Sequence, residues 1–347
     1  MGALPERMGG KGGALPAEGH LQQEKRWLVR LPNWLGDAVM ATPVLKALAG
    51  QGPVWLLGRA YLRPLLEAFP GVAGFVELQE GRGGLLRTAR VLQKWGFSHG
   101  LLLPNSFSSA LLFFLAGVQE RIGYATDGRR FLLTRAIARP RRRFHQRDYY
   151  LGLLSPLGIP APENGLFLRV PEAARKRAKK LLSGLSGPLA VLAPGAAYGP
   201  AKRWPLERFG ELAAEFLRRG FAVVFLGLER ERAVVEAFWP GHPRGRNLCG
   251  LTDVAEAAAV IEKAAIFVSN DSGLMHLAAA LKRPQVALFG STSPEATGPL
   301  NPRARVISRN LPCSPCLKRT CPQGHYRCLR EISVEEVLTA ALELAEV

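Results

Sequence analysis

Short apolar runs alternate with longer amphipathic segments along both halves of the chain. In the first half the apolar runs are 26–31, 54–57 and 100–103, and helical spacing covers 37–48 and the residues around Leu111. In the second half the apolar runs are 189–193, 222–226, 266–268 and 285–289, with helical spacing over 206–219 and from Glu229 onward. Strands that alternate with helices of roughly 10–15 residues are typical of parallel sheets covered on both faces. The pattern predicts an α/β chain with two Rossmann-like halves.

The length of 347 residues exceeds one ordinary core and fits two domains. We place the join in the stretch 156–171, where Pro and Gly cluster, so that the domains span 25–165 and 166–332. The last segment, 333–347, is an amphipathic helix, and we expect it to pack back on the N-terminal domain. Residues 1–24 are rich in Gly, Pro and Ala without an apolar h-region, which predicts a disordered extension rather than a secretory signal.

Charge narrows the range of partners. The 46 basic and 28 acidic residues give a net charge of +18, which favours a polyanionic partner: nucleic acid, an anionic membrane surface or a phosphorylated substrate. The densest basic run is Arg139–Arg147. An arginine bias linked to genome composition or heat tolerance explains the excess about equally well. No nucleic-acid-binding signature accompanies the charge, so nucleic acid is not expected.

Hydrophobic residues make up 48% of the chain, yet no apolar run approaches the roughly 18 residues that span a bilayer. The most apolar stretch, Ala110–Val118, has the length of a core helix. The composition therefore predicts a soluble globular protein.

The segment Ile266–Pro294 carries the strongest chemical signal. An apolar strand is followed by a polar turn with Asp271, Ser272 and Gly273 and then by a helix with His276. Free backbone N–H groups and the helix dipole make such a turn an anion site. A phosphate needs no neighbouring carboxylate, whereas a sugar with free hydroxyls does. The segment predicts a nucleotide-sugar site.

A second candidate is Asp37, which follows the loop 32–36 after the first strand. Open α/β sheets bind their ligands at the carboxyl edge of the strands. A carboxylate at that edge is placed to act as a general base on an acceptor hydroxyl. The alternative is that Asp37 only caps the helix.

The loop 193–205 supplies a candidate cation. Its small residues, Gly195 among them, let a diphosphate approach the backbone, and Lys202 offers a point charge to neutralise it. The sequence has no Asp-x-Asp pair that would bind a metal ion in place of this cation. The alternative is that Lys202 is a solvated loop charge. Glu229, just after Gly227 at a strand end, has the position of an acidic residue that binds ribose hydroxyls.

Four of the five cysteines form a cluster with the spacing Cys313-x2-Cys316-x4-Cys321-x6-Cys328, and His325 lies inside it. The close CxxC suits a zinc or cluster site or a redox pair. The spacing does not match a standard zinc ribbon, so disulfides and reduced packing cysteines stay open as well. We expect no metal site.

Taken in order, several blocks resemble the lipopolysaccharide heptosyltransferases, and the resemblance extends from Arg26 to Leu329. The blocks are RLPNWLGDAVMATPVLKAL, PGAAYGPAKRWPLERFGEL, SNDSGLMHLAAAL with ALFGSTSP, and CSPCLKRTCPQGHYRCL. The last block favours the type II members over type I.

The resemblance implies a GT-B fold, in which two Rossmann-like domains face each other across a cleft. It implies an inverting, metal-independent transfer from ADP-heptose to the first heptose of the lipopolysaccharide inner core on a Kdo-lipid A acceptor, with no cofactor. Asp37 would be the general base on the acceptor domain, and Lys202 would stabilise the leaving diphosphate. Asp271 would contact the heptose with support from His276, and backbone N–H groups of Ser272 and Gly273 would bind the phosphates. Glu229 would bind the ribose, and Leu251–Thr252 would flank the adenine. Gly195 and Tyr198 would lie where the phosphates approach the loop.

Localisation follows from that acceptor. An anionic lipopolysaccharide core predicts a cytoplasmic enzyme held peripherally at the inner face of the inner membrane, with Arg139–Arg147 toward phosphates and Kdo carboxylates.

Three alternatives stay open. A type I heptosyltransferase or another nucleotide-sugar transferase of the family differs by only a few sugar contacts. A nucleotide- or nucleic-acid-binding module without catalysis is a second alternative. The presence of both Asp37 and Lys202 argues against it, because binding alone needs no base opposite a leaving-group cation. A sugar epimerase or dehydrogenase is disfavoured because the chain has neither a complete GxGxxG nor a Tyr-x-x-x-Lys pair.

Overall fold

The computed structural model describes residues 25–142, 144–163 and 165–345. The extension expected at 1–24 lies outside these residues. Within them the strands form two six-stranded sheets, and every strand pair is parallel. The first sheet consists of β1 (Trp27–Arg30), β2 (Val54–Gly58), β3 (Val72–Glu77), β4 (His99–Leu102), β5 (Glu120–Tyr124) and β6 (Arg135–Ile137). The second consists of β7 (Leu189–Ala193), β8 (Ala222–Phe225), β9 (Gly245–Asn247), β10 (Ile266–Asn270), β11 (Gln285–Phe289) and β12 (Ala304–Ser308).

Helices connect the strands and cover both sheets. Those of the first half are α1 (Leu35–Met40), α2 (Thr42–Ala49), α3 (Arg63–Leu66), α4 (Gly84–Gln93), α5 (Phe107–Leu115) and α6 (Gln146–Leu151). Those of the second half are α7 (Glu172–Leu181), α8 (Leu206–Arg218), α9 (Glu229–Phe238), α10 (Val254–Glu262), α11 (Gly273–Ala280), α12 (Pro294–Thr297), α13 (Arg327–Arg330) and α14 (Val334–Ala345). Short 3₁₀ turns occupy Ala60–Leu62, Arg130–Leu132, Ser155–Leu157 and Pro200–Lys202.

Both sheets have the doubly wound topology. The first has the order β3-β2-β1-β4-β5-β6, and the second, β12-β11-β10-β7-β8-β9, repeats it from the opposite edge. In such sheets ligands bind beyond the carboxyl ends of the strands, where the strand order reverses. The reversals lie between β1 and β4 and between β7 and β10. The predicted α/β class with two Rossmann-like domains is confirmed.

Burial of both sheet faces explains the unbroken apolar runs. Every residue of β7, β8, β10 and β11 is buried. Val191 on β7 packs into one cluster with α7, α10 and α11, while its neighbour Leu192 packs into another with α8 and α14. Parallel strands enclosed in this way lose the alternation of apolar and polar residues.

The two domains touch through helices at the carboxyl edges of their sheets. Val39 on α1 and Leu65 on α3 belong to the hydrophobic cluster of the second domain, beside α10 and α11. A Cβ added to Gly273, at the start of α11, would lie 2.9 Å from Cβ of Leu35 on α1. The catalytic candidates of each half are therefore brought face to face.

The helix expected over 37–48 is divided in two. α1 ends at Met40 and α2 begins at Thr42, with Pro43 in its first turn. Proline has no N–H to continue the hydrogen-bond ladder and its ring opposes the preceding turn, so it starts a helix far better than it continues one. The Thr42 hydroxyl donates to the carbonyl of Val39 at 2.7 Å and stabilises the break.

The expectation that the last helix packs back on the N-terminal domain is wrong for its described part, α14. This helix lies against α8 and the strands β10, β11 and β12 of its own domain. Its buried residues Val337, Leu338, Ala340 and Ala341 join the cluster that contains Trp204 and Phe209. Its apolar face covers a face of the second sheet that would otherwise be exposed.

Among the described residues, no helix has both the length and the apolar character that a bilayer crossing requires.

Candidate active site between the two domains

Asp37 lies in the first turn of α1, beyond the carboxyl end of β1. The Tyr150 hydroxyl on α6 donates a hydrogen bond of 3.0 Å to its Oδ1. Burial raises the pKa of Asp37 above its ordinary value, although the Tyr150 hydrogen bond and the charge of Lys202 oppose the rise. The N-cap position belongs to Trp34, so the alternative of a capping aspartate does not describe this side chain.

The loop before Asp37 is held by Arg30, a residue the sequence did not single out. Its guanidinium donates to the carbonyl of Leu31 and, at 2.7 Å, to Oδ1 of Asn33. The Tyr61 hydroxyl donates to the carbonyl of Asn33 at 2.8 Å. Burial and the nearby charge of Arg59 lower the pKa of Arg30 to about 10, so it stays charged at neutral pH. An arginine inside an apolar strand was the signal that could have identified it.

Lys202 faces Asp37 from the second domain. Its Nζ lies 2.5 Å from Oδ2 of Asp271, and the side chains are 13% and 5% exposed. The Thr292 hydroxyl donates to the same Oδ2 at 2.6 Å. Lys202 is thus a fixed, nearly buried cation, and the alternative of a solvated loop charge does not describe it. Thr292 belongs to the small-residue turn after β11, inside the segment 266–294, but the sequence had not singled it out as a site residue.

Asn270 fixes the loop that carries Lys202. The amide nitrogen of its side chain donates to the carbonyl of Pro194 at 2.7 Å, and its Oδ1 accepts from the backbone N–H of Trp204 at 2.9 Å. Both partners flank the loop 194–204, so one buried side chain at the end of β10 sets its path. A buried asparagine with both polar ends bonded is a structural clamp.

His276 lies on α11 at the domain contact and is 3% exposed. Burial lowers its pKa to about 4, so the imidazole is neutral at physiological pH. Its Nδ1 has no hydrogen-bond partner among the described residues. A Cβ added to Gly36 would lie 2.7 Å from Cδ2 of His276. The close approach of α1 to α11 thus requires a glycine at position 36.

Ser272 and Gly273 form the start of α11, as predicted. Ser272 occupies the N-cap position without a side-chain cap, and its buried Oγ is unpartnered among the described residues. The turn therefore keeps N–H groups and a hydroxyl at the domain boundary, beside Asp271.

The remaining nucleotide candidates lie apart from this group. Glu229 begins α9 with a side chain 72% exposed and pairs with Arg232 at 3.3 Å. A Cβ on Gly250 would collide with its carboxylate. Thr252 is half-buried and precedes Asp253, which caps α10.

Glu231 was not predicted, yet its carboxylate lies against two strand ends. It accepts a hydrogen bond of 2.8 Å from the backbone N–H of Leu228. A Cβ on Gly195 or on Gly227 would lie 2.3 Å or 2.5 Å from its carboxylate oxygens. Gly195 thus makes room for Glu231 in this structure, in addition to any approach by a diphosphate.

The cysteine segment, residues 313–328, braces both loops of the second-domain site. The Tyr198 hydroxyl donates to the carbonyl of Leu317 at 2.8 Å, and the N–H of Ala201 donates to the carbonyl of Arg319 at 3.0 Å. On the other loop, the N–H of Leu317 donates to the carbonyl of Ser291 at 2.7 Å. The segment therefore links the loop of Lys202 to the loop of Thr292.

The cysteines themselves are free thiols. Cys313 Sγ lies 4.0 Å from Nε2 of His325. Hydrogen bonds from backbone N–H groups, led by that of Tyr326, lower the pKa of Cys321, whereas burial raises the pKa of Cys328. Within the described ranges no group of three or more His, Cys, Asp or Glu side chains is placed to hold a metal ion.

Comparison with known proteins identifies the family of this site. Residues 85–327 match the model of glycosyltransferase family 9 (heptosyltransferase). The chain is 32% identical to lipopolysaccharide heptosyltransferase 2 of Salmonella typhimurium over 90% of its own length and 96% of that protein. It is 36% identical to lipopolysaccharide heptosyltransferase 1 of Pseudomonas aeruginosa, over 40% of this chain and 39% of that protein.

A solved structure agrees with the sequence matches. The structure of Escherichia coli ADP-heptose lipopolysaccharide heptosyltransferase II superposes with a TM-score of 0.81 at 30% identity, covering 92% of this chain and 98% of that one. The GT-B arrangement implied by the sequence resemblance is thereby confirmed. The chain belongs to glycosyltransferase family 9, the heptosyltransferases.

Proposed function

We propose that this enzyme transfers heptose from ADP-heptose to the first heptose of the lipopolysaccharide inner core on a Kdo-lipid A acceptor, as a type II heptosyltransferase. The extent of similarity supports type II over the type I alternative, because the type 2 relative matches over 90% of the chain and the type 1 relative over 40%. The observation that carries the chemistry is the approach of Asp37 and Lys202 from opposite domains, close enough for the charge of Lys202 to lower the pKa of Asp37.

In the proposed reaction Asp37 accepts the proton of the acceptor hydroxyl while the oxygen of that hydroxyl attacks the anomeric carbon of the heptose. The bond from that carbon to the phosphate oxygen breaks on the opposite face, so the configuration inverts and ADP leaves with the electron pair. Lys202 neutralises the charge that develops on the diphosphate. No step requires a metal or another cofactor.

The donor occupies the second domain in this proposal. N–H groups of Ser272 and Gly273 bind the diphosphate at the start of α11, and Asp271 binds heptose hydroxyls beside His276. Glu229 takes the ribose and Thr252 the adenine edge, with Gly195 and Tyr198 on the phosphate loop. The ring of Tyr198 lies 4.9 Å from Nζ of Lys202, which favours a role beside that cation.

The Lys202–Asp271 pair implies a rearrangement on donor binding. A nearly buried cation already bonded to a carboxylate at 2.5 Å cannot neutralise a diphosphate fully. We infer that the ion pair separates when the donor binds. The sugar hydroxyls then donate hydrogen bonds to Asp271, while Nζ of Lys202 turns to the phosphates. The Thr292 hydroxyl keeps Asp271 in place during the exchange.

For localisation we propose a cytoplasmic enzyme bound peripherally to the inner face of the inner membrane. An exposed aromatic stripe supports the proposal: Phe107 and Phe114 lie at i and i+7 on α5, and Phe131 packs beside Phe107 with ring centroids 6.0 Å apart. Phe114 and Phe131 are 51% and 74% exposed. Among the described residues of the run 139–147, the exposed arginines are Arg139, Arg141 and Arg142.

The described arginines of the run 139–147 fall into two groups, one mostly buried and one exposed. Arg147 is mostly buried and pairs with Asp148 at 2.6 Å, which gives it a structural role rather than a membrane contact. The exposed arginines and the aromatic stripe both belong to the first domain, and together they fit an anionic lipid surface, where aromatic side chains insert and cations bind headgroups. No nucleic acid is proposed as a partner.

A coupled assay for ADP release tests the function. Purified enzyme is given ADP-heptose and Kdo-lipid A bearing one heptose, with EDTA present. Release that depends on both substrates is the expected result. ADP binding without release from this pair, combined with release when the acceptor lacks heptose, would reassign the enzyme to type I.

A further inference from the structure

Two neighbouring tyrosines on α6 point their hydroxyls at different partners. The Tyr149 hydroxyl donates to Oδ1 of Asn105 at 3.0 Å, on the loop after β4. The Tyr150 hydroxyl donates to Oδ1 of Asp37, also at 3.0 Å. Tyr150 is 3% exposed and packs in the core of the first domain. Its ring is fixed by packing, so the direction of its hydroxyl is set by the fold.

We propose that Tyr150 is a positioning residue for the candidate base: its hydrogen bond holds one carboxylate oxygen of Asp37 and leaves the other directed at the acceptor hydroxyl. The inference rests on the proposed role of Asp37. A carboxylate on a short side chain rotates about its last bond, and only one rotation places an oxygen in line with the reacting hydroxyl. A donor fixed in the core selects that rotation before the substrate arrives.

Tyr150 stays a donor throughout the working pH range. Burial and the proximity of Asp37 raise its pKa well above the ordinary value for tyrosine. The same hydrogen bond lowers the pKa of Asp37 against the effect of burial. Tyr150 therefore orients the base and also favours its ionised form.

Other titratable groups that act on Asp37 or on its neighbours are Tyr61, Lys202 and Asp271, and His276 lies against the adjacent Gly36. Lys202 favours the carboxylate form of Asp37, and Asp271, which is paired with Lys202, opposes that effect more weakly. His276 is neutral, with a pKa of about 4. Burial raises the pKa of Tyr61, which is thus uncharged as well. Of the interactions that lower the pKa of Asp37 against burial, the hydrogen bond of Tyr150 has the largest effect.

α6 also contacts the second domain. His145 caps the helix by accepting a hydrogen bond of 3.2 Å from the N–H of Arg147. Its Nε2 lies 3.0 Å from the carbonyl of Gly298, on the far side of the domain boundary. The helix that carries Tyr150 therefore contacts both domains, so the position of its hydroxyl depends on how the domains meet.

The test is Tyr150→Phe in the full-length enzyme, with kcat, KM and ADP affinity measured from pH 5 to 9. Phenylalanine keeps the packing and removes only the hydroxyl. We expect the acid limb of the kcat profile to move upward by about one pH unit, because a hydrogen bond to the charged form is lost. Turnover at neutral pH should fall about tenfold and recover partly toward pH 9, with ADP affinity within twofold of wild type. Tyr149→Phe is the matched control and should leave the acid limb in place.

A uniform loss of kcat at every pH, or an unchanged profile, would overturn the positioning role. Asp37→Asn separates this failure from failure of the proposed base: an active Asp37→Asn enzyme refutes both, while an inactive one with an unshifted Tyr150→Phe profile refutes only Tyr150. If Tyr150→Phe fails to fold, 3-fluorotyrosine at position 150 keeps the hydroxyl and makes it a stronger donor. The acid limb should then move downward, and a limb that does not move would contradict the proposal.

Discussion

At the scale of single residues, Asp37, Lys202 and Asp271 act as one electrostatic unit. The carboxylate of Asp37 is raised in pKa by burial and lowered by Lys202, while Asp271 opposes Lys202. Two carboxylates and one cation from two domains share a small space from which water is largely excluded. Changing one of them must change the state of the others.

Asp37→Asn should lower turnover by a factor of about 10² to 10⁴, the usual contribution of a general base. ADP affinity should stay near the wild-type value, because in the proposed function the donor binds in the other domain. The folded-state pKa of Asp37 lies above its unfolded value, so the charged group costs stability as pH rises through that pKa. The variant should accordingly melt at a higher temperature than wild type at pH 7 and lose this advantage in acid.

Steady-state kinetics, calorimetric ADP titration and melting at pH 7 and pH 4 check these expectations. Asp127→Asn, in an exposed turn of the same domain, is the control for losing one carboxylate. Surviving turnover in the Asp37 variant would mean that the base is another group.

Lys202→Ala should weaken ADP binding as well as turnover, because in the proposed reaction the cation stabilises the diphosphate both before and after the sugar–phosphate bond breaks. Loss of one nearly buried charge contact predicts at least a tenfold rise in the ADP dissociation constant. Lys263→Ala removes an exposed charge at the opposite edge of the second sheet and should change neither quantity. Isothermal titration with ADP decides the matter, and an unaltered affinity would remove Lys202 from the phosphate site.

At the scale of elements, the contact between α1 and α11 unites the two half-sites. α1 brings Asp37 and α11 brings His276, and the two helices meet at Gly36 and Gly273. Because glycine has no Cβ, the two backbones approach closely at both positions. The spacing between Asp37 and the start of α11 therefore depends on these two glycines.

Gly36→Ala should separate these helices. Its Cβ would lie 2.7 Å from the His276 ring, too close for any real contact, and overpacking of this kind costs about 1–3 kcal/mol. We expect kcat to fall about tenfold or more, with a smaller effect on ADP affinity. Gly50→Ala is the control, since its Cβ would meet its nearest neighbour at an ordinary 3.6 Å. Equal activity of the two variants would show that the contact is not required for turnover.

At the scale of the whole molecule, exposed aromatic side chains are concentrated on the first domain. Both domains carry part of the net charge of +18, whereas the aromatic stripe of Phe107, Phe114 and Phe131 lies on the first domain alone. The stripe begins at the carboxyl edge of the first sheet, the edge that also carries Asp37. A lipid-anchored acceptor would reach the base from that side.

Phe114→Asp combined with Phe131→Asp should weaken binding to vesicles of phosphatidylcholine and phosphatidylglycerol at least tenfold. Burial of two aromatic rings is lost, and two anionic side chains then face an anionic surface. Wild-type binding should also fall as salt rises from 50 to 500 mM, because the arginine contacts are screened. Co-sedimentation measures both effects, with Val234→Asp on the second domain as the control. Equal binding of all variants would exclude the aromatic stripe as the membrane contact.

Local pattern determined much of this protein from sequence alone. The repeated strand and helix spacing predicted two Rossmann-like domains, because period and turn residues are properties of neighbours along the chain. Asp37 and Lys202 were found in the same way, Asp37 at a helix start after the first strand and Lys202 in a loop after a strand of the second half. Their roles, and the division at residue 165, stay predictions.

Tertiary structure decided what depends on distant partners. Tyr150 reaches Asp37 across 113 positions, and Thr292 reaches Asp271 across 21, so no local spacing announces either bond. The last helix was assigned to the wrong domain because amphipathic spacing shows that a face will be buried but not which surface covers it. The sequence by itself determined which elements form and where charged groups stand along them. Packing decided which of those groups meet, because burial and hydrogen bonding act between residues that only the fold brings together.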